Sequence, residues 1–152
     1  MNRIVKPLIG YMLLLIGITL VFSVFFSFIV SGVDVGNCQT LSTANTLYTL
    51  NQSISSSSTC INITANNIVL NGNGFNITYG ISDSNDVYGV YVVNASNTTI
   101  KNITIYEGNI TARTNRQGVY FNQSHNCTVF NTTIIVESGG AKPVSHGIFF
   151  ED

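Results

Sequence analysis

A block of sequence recurs every 29 residues, and this period constrains the chain more than any single motif. Asn97-Thr98-Thr99-Ile100-Lys101-Asn102-Ile103-Thr104-Ile105 returns 29 residues later as Asn126-Cys127-Thr128-Val129-Phe130-Asn131-Thr132-Thr133-Ile134. A looser copy precedes both as Asn67-Ile68-Val69-Leu70-Asn71-Gly72-Asn73-Gly74-Phe75. A second echo keeps the same spacing: Gly89-Val90-Tyr91-Val92, Gly118-Val119-Tyr120-Phe121 and Gly147-Ile148-Phe149-Phe150. A fixed period in this range marks stacked supersecondary units, none of which can bury its apolar face alone. Each unit here is strand and turn, so the period predicts an all-β solenoid of about three to four rungs.

Alternation along the repeats sorts side chains into two sets. Ile61, Ile63, Ile68, Leu70, Phe75, Ile77, Val90, Val92, Ile100, Ile103, Ile105, Val119, Phe121, Val129, Ile134, Val136, Ile148 and Phe150 are expected inside. Asn62, Thr64, Asn76, Thr78, Asn97, Thr99, Thr104, Thr128 and Thr133 are expected outside. Stacking then places Leu70 under Ile100 under Val129, and Phe75 under Ile105 under Ile134. Gly72, Asn102 and Asn131 share a corner that favours positive φ, which Gly adopts freely and Asn tolerates best among the others. Asn side chains stacked at such a corner can hydrogen-bond along the column. Equivalent strands of successive rungs would pair in parallel.

Charged residues make up 9 % of the 152 residues, with six Lys plus Arg and a net charge of −1. That is too few basic groups for a nucleic-acid interface. Beyond residue 32 the polarity comes from Asn, Ser and Thr, which favour turns over helix interiors. The N-terminus differs. Leu8 to Val30 carries no charge and is long enough, as a helix, to span a bilayer core of about 30 Å. Arg3 and Lys6 before it place the N-terminus on the cytoplasmic side. A cleaved signal peptide is the alternative, with Ser31-Gly32 as its small-residue site. Either way the remainder is expected to be exported. The domains read as 1–32 (anchor or signal), 33–60 (cap of the solenoid) and 61–152 (rungs).

Of three cysteines, Cys38 and Cys60 are the natural disulfide pair outside the cytoplasm; two unpaired thiols are the alternative. The bridge would tie down the Ser-rich stretch between them, read as a cap over the first rung's unpaired strand edge. Cys127 falls in phase with Thr98 and Ile68 and reads as a small buried core residue.

The succession of Gly-Val-Tyr, then Asn-x-Thr-Ile, then the Asn corner resembles the parallel β-helix repeats of NosD-like and carbohydrate-binding/sugar-hydrolase domains, over about residues 38–152. The resemblance implies a right-handed coil, an extracellular or periplasmic setting and frequent polysaccharide contact. Such a fold hosts lyases, hydrolases, adhesins and scaffolds alike, so function must be read from a site.

The seven acids do not recur in phase on neighbouring rungs, and Ser145-His146-Gly147 lacks the carboxylates of a polysaccharide-cleaving cluster. No catalytic residue, cofactor or metal set is assigned. Asp83-Ser84-Asn85-Asp86 is a solvated turn or a weak cation loop, and His125 and His146 fall at different rung positions. Arg113 and Arg116 lie in the segment from Glu107 to Gln117, which is an exposed insertion or a grip on an anionic sugar. Tyr91, Tyr120 and Phe149 form one outward column that stacks on itself or presents faces to sugar rings. Glycosylation sequons occur at Asn51, Asn62, Asn76, Asn94, Asn97, Asn102, Asn109, Asn122, Asn126 and Asn131, many of them products of the repeat itself.

The sequence therefore leads to a surface-displayed module, membrane-anchored through residues 8–30, with glycans or neighbouring surface proteins as partners. The alternative is the N-terminal part of a polysaccharide lyase or glycoside hydrolase whose catalytic rungs lie beyond residue 152. A NosD-like accessory role in metal insertion is a third option, weakened by the lack of Met, His or Cys clusters. The final rung starts at His146 without its Asn-x-Thr-Ile half, which suggests a fragment or an edge covered by another chain.

Overall fold

The computed structural model describes residues 32–82, 85–108, 115–136 and 145–151. The expected anchor or signal segment at 8–30 lies outside them, as do Asp83, Asn109 and Arg113. Among the described residues every regular element is a strand, and no helix is long and apolar enough to cross a membrane.

The described residues hold twelve strands in two sheets, and every pairing among them is parallel. One sheet runs β2 (Gln39–Leu41), β5 (Ile61–Ile63), β8 (Val87–Val93), β10 (Arg116–Asn122) and β12 (Ser145–Glu151). The other is built around β9 (Thr99–Glu107). The first half of β9 pairs with β6 (Val69–Asn71) and its second half with β7 (Asn76–Tyr79), while β11 (Thr128–Ile135) covers both halves from the other side. Next to β6 come β3 (Leu47–Leu50) and β1 (Gly32–Val35); next to β7 comes β4 (Ile54–Ser55). The chain thus visits one sheet, crosses to the other, and returns beside its previous pass. Parallel neighbours require such a crossover, because no tight turn can join them.

Registers follow the sequence period. Val90 pairs with Val119 and Val119 with Ile148; Ile100 pairs with Val129, and Leu70 with Ile100. Ile61, Val90, Val119, Leu70 and Ile100 are fully withdrawn from water. Full burial of one such aliphatic side chain contributes roughly 1.5–3 kcal/mol, so these columns hold the sheets together. Cys127 sits in phase with Thr98 and Ile68, partly buried against the core.

Two expectations change. Ile77, not Phe75, lies beneath Ile105, because a turn at Asn73 (φ 52°) and Gly74 (φ 84°) uses up residues before β7 begins. Ile148 and Phe150 point as alternation requires, but β12 is an outer strand of its sheet and they remain 41 % and 61 % exposed. The stretch read as a cap, 33–60, contributes strands to both sheets. The disulfide is present: Cys38 and Cys60 directly precede the paired strands β2 and β5, which brings their Cα atoms to 4.5 Å.

The corners carry left-handed asparagines. Asn45, Asn67, Asn97 and Asn126 have φ of 57°, 58°, 58° and 54°, and Asn102 and Asn131 have 54° and 47°. Asn97 Nδ2 donates to Asn67 Oδ1 and Asn67 Nδ2 to Asn45 Oδ1, each at 2.9 Å. A second ladder runs from Asn131 Nδ2 to Asn102 Oδ1 (2.7 Å) and from Asn102 Nδ2 to Asn71 Oδ1 (3.0 Å). The expected ladder therefore exists, but its lowest member is Asn71 rather than Gly72. Gly72 serves packing instead, since a Cβ there would overlap Ile103.

Candidate ligand-binding site

The best-furnished concave surface lies on the sheet of β8, β10 and β12, and a column of glycines creates it. Gly89 and Gly118 occupy equivalent positions, and a Cβ on either would collide with the side chain of Ile105 or Ile134 and with the carbonyl of the next glycine in the column. Along β8 the alternation resets at Gly89: Val87, Gly89, Val90 and Val92 are buried, with Tyr88, Tyr91 and Val93 half-buried. Residues three apart, rather than two, then project to the same side. Tyr88 meets Tyr91 (ring centroids 5.1 Å apart), and His146 stacks on Phe149 at 5.0 Å.

Two side-chain columns result. Tyr91, Tyr120 and Phe149 are in register and in contact, with centroids 5.1 Å and 5.4 Å apart. Tyr88, Gln117 and His146 form the second column beside them. Tyr88 also meets the Tyr120 ring edge-on at 4.9 Å. Tyr120 is consequently only 9 % exposed, and the open ring surface belongs to its half-buried neighbours.

A cleft of about 350 Å³ lies against these rings, lined by Asp86, Tyr88, Asn115, Gln117, Tyr120, Phe149 and Glu151. Its polar groups are mutually positioned. Asn115 Nδ2 donates to Asp86 Oδ1 at 2.8 Å. The Tyr120 hydroxyl donates to Glu151 Oε2, and Asn122 Nδ2 reaches both the Tyr120 oxygen and Glu151 Oε2 at 3.0 Å. Burial, followed by the negative charge of Asp86, pushes the Tyr88 phenol up to about 12. Burial and the bond to Glu151 raise that of Tyr120. Both hydroxyls therefore stay protonated at neutral pH. Gln117 Oε1 is buried without a hydrogen-bond partner among the described residues.

The arginine expectation is overturned where it can be seen. Arg116 is no surface grip: it begins β10 and is 0 % exposed. Its guanidinium donates to Glu107 Oε1 (2.8 Å), Gly80 O (2.6 Å) and Ser82 O (2.9 Å). Gly80, at φ 60°, leaves the room that this guanidinium fills.

A second groove, of about 460 Å³, is lined by Asn73, Gly74, Asn102, Ile103, Thr104, Asn131 and Thr133. It offers neither charge nor aromatic face, and the Asn102 and Asn131 amides are engaged in the ladder. Sequon residues Asn94, Asn97, Asn102, Asn126 and Asn131 all sit at left-handed positions, where Asn is wanted for its backbone tolerance. Asn51, Asn94, Asn97, Asn126 and Asn131 are exposed, and Asn62, Asn76, Asn102 and Asn122 half-buried. Among the described residues no group of three His, Cys, Asp or Glu could hold a metal ion.

Sequence reasoning found the column Tyr91, Tyr120 and Phe149, named Asp86 only in a separate turn and Asn122 only as a sequon, and missed Tyr88, Gln117, Asn115 and Glu151. A signal for part of this set was available: the residue before each glycine of the second echo, Tyr88, Gln117 and His146, repeats with the same period. The chain matches no family model, no curated protein and no solved structure.

Proposed function

We propose that the two sheets are faces of a right-handed parallel β-helix, and that the protein is an exported, surface-displayed glycan-binding module held to the membrane by residues 8–30. The observation that carries this reading is the aromatic cleft. Rings of Tyr88 and Phe149 flank a space whose other walls are carboxylates and amides. Sugars have apolar C–H faces and rims of hydroxyls, so a site for them needs aromatic surface beside fixed polar groups. The 29-residue parallel registers and the disulfide support a coil built for an oxidising exterior.

The test is a glycan array probed with the full chain and with Tyr88→Ala and Tyr91→Ala. Binding to a defined set of glycans, reduced roughly two- to tenfold by Tyr88→Ala, is expected, since an aromatic ring contact contributes about 0.5–1.5 kcal/mol and about 1.4 kcal/mol is tenfold. An array without signal, or one indifferent to both substitutions at unchanged unfolding midpoint, removes the reading.

A further inference from the structure

We propose that this cleft selects saccharides bearing a protonated amine over N-acetylated, neutral or acidic ones; the inference rests on the glycan-binding reading and narrows it. Charge is the first reason. The cleft contains two carboxylates, Asp86 and Glu151, and no basic side chain among the described lining residues. Asp86 accepts from Asn115, and Glu151 from Tyr120 and Asn122. A carboxylate has about four lone-pair sites, so both keep room for a further donor.

The second reason is Gln117. It is 4 % exposed, lines the cleft, and its Oε1 has no partner among the described residues. A buried acceptor left unpaired is unfavourable, and an N–H arriving from a ligand would satisfy it. Ring electrostatics supply the third reason. Tyr88, Tyr120 and Phe149 border the same space, and aromatic faces attract a cation held near them. All three features ask for one thing: a positively charged donor of several hydrogen bonds, which an ammonium group is. Acetylation removes the charge and most of those donors, and a carboxylated sugar would meet Asp86 and Glu151 with like charge. Arg116, the one of the two expected grip arginines that lies among the described residues, is turned inward onto Glu107.

Titration calorimetry of the full chain with glucosamine, N-acetylglucosamine and glucose oligomers of equal length tests the inference. The amine oligomer should bind at least about tenfold tighter than the other two, the size of one good cation–aromatic or charged hydrogen-bond contribution. The pair Asp86→Asn and Glu151→Gln, isosteric and on exposed residues, should abolish that preference by weakening the amine oligomer at least about tenfold more than the glucose oligomer. Asp34→Asn, a charge change on exposed β1, should leave the preference intact. Equal affinity for all three oligomers overturns the amine inference and leaves the glycan reading standing. A preference that survives the double substitution, or falls equally with Asp34→Asn, also overturns it. Absence of any glycan binding removes both.

Discussion

Arg116 and Glu107 form an ion pair at 2.8 Å inside the protein, with side-chain exposures of 0 % and 2 %. The pair links the start of β10 to the end of β9, and the same guanidinium fastens the carbonyls of Gly80 and Ser82. Leaving one member of a buried pair without its partner typically costs about 3–5 kcal/mol. Arg116→Met should therefore lower the unfolding free energy by about that amount, measured by urea denaturation. A change no larger than that of an exposed substitution would show that the pair contributes little.

Asn102 combines a backbone duty with a side-chain one, and two substitutions separate them. Asn102→Gly keeps the positive φ but breaks the ladder between Asn71 and Asn131. Asn102→Ala loses both. A left-handed φ disfavours a Cβ-bearing residue by roughly 1–2 kcal/mol, so the alanine variant should be the less stable by about that margin. Equal stability of the two variants would assign the effect to the ladder alone.

Gly118 lies where a Cβ would overlap Ile134 and the carbonyl of Gly147. Overpacking of this kind typically costs about 1–3 kcal/mol. Gly118→Ala should lower the thermal midpoint, and Ile134→Ala placed with it should restore part of the loss. Failure of the second substitution to relieve the first would show that the backbone approach, not the side chain, is limiting.

The disulfide closes a loop with a sequence separation of 22. Cross-links of that span stabilise by about 3 kcal/mol in the chain-entropy description. Reduction, or Cys38→Ala with Cys60→Ala, should shift the urea midpoint downward accordingly. Cys127→Ala should shift it less, because that thiol only packs partly against the core.

Alkaline pH tests the buried phenols. Tyr88 is raised from 10.0 to about 12, and Tyr120 in the same direction. Between those values the folded protein keeps protons that the unfolded chain has released, so stability falls as pH rises. The contribution is complete below pH 10 and lost on the way to about pH 12. Tyr88→Phe should flatten the decline of the urea midpoint across that window. An identical decline in the variant would place its origin elsewhere.

The 29-residue period, the inward columns through Leu70, Ile100 and Val129, and the disulfide were legible because each depends on local alternation or simple spacing. Errors arose where backbone geometry interrupts alternation. The turn at Asn73 and Gly74 shifted Ile77 into the place expected for Phe75. The reset of alternation at Gly89 put Tyr88, and with it Gln117 in register, beside the aromatic column, though strict alternation would send them away from it. Arg116 was misplaced for a different reason. Two of its partners, Gly80 and Ser82, are distant in sequence, and nothing local distinguishes a buried arginine paired with Glu107 from an exposed one.

What the sequence determined by itself is the all-β, parallel, repeating character of the chain, since a period of two within a period of 29 leaves few other ways to bury these aliphatic columns. Tertiary structure alone decided which polar residues face one another across the cleft. That choice depends on where glycine lets backbone and neighbouring side chains pack without a Cβ between them, and on which charges find partners inside, and both are properties of the assembled sheets.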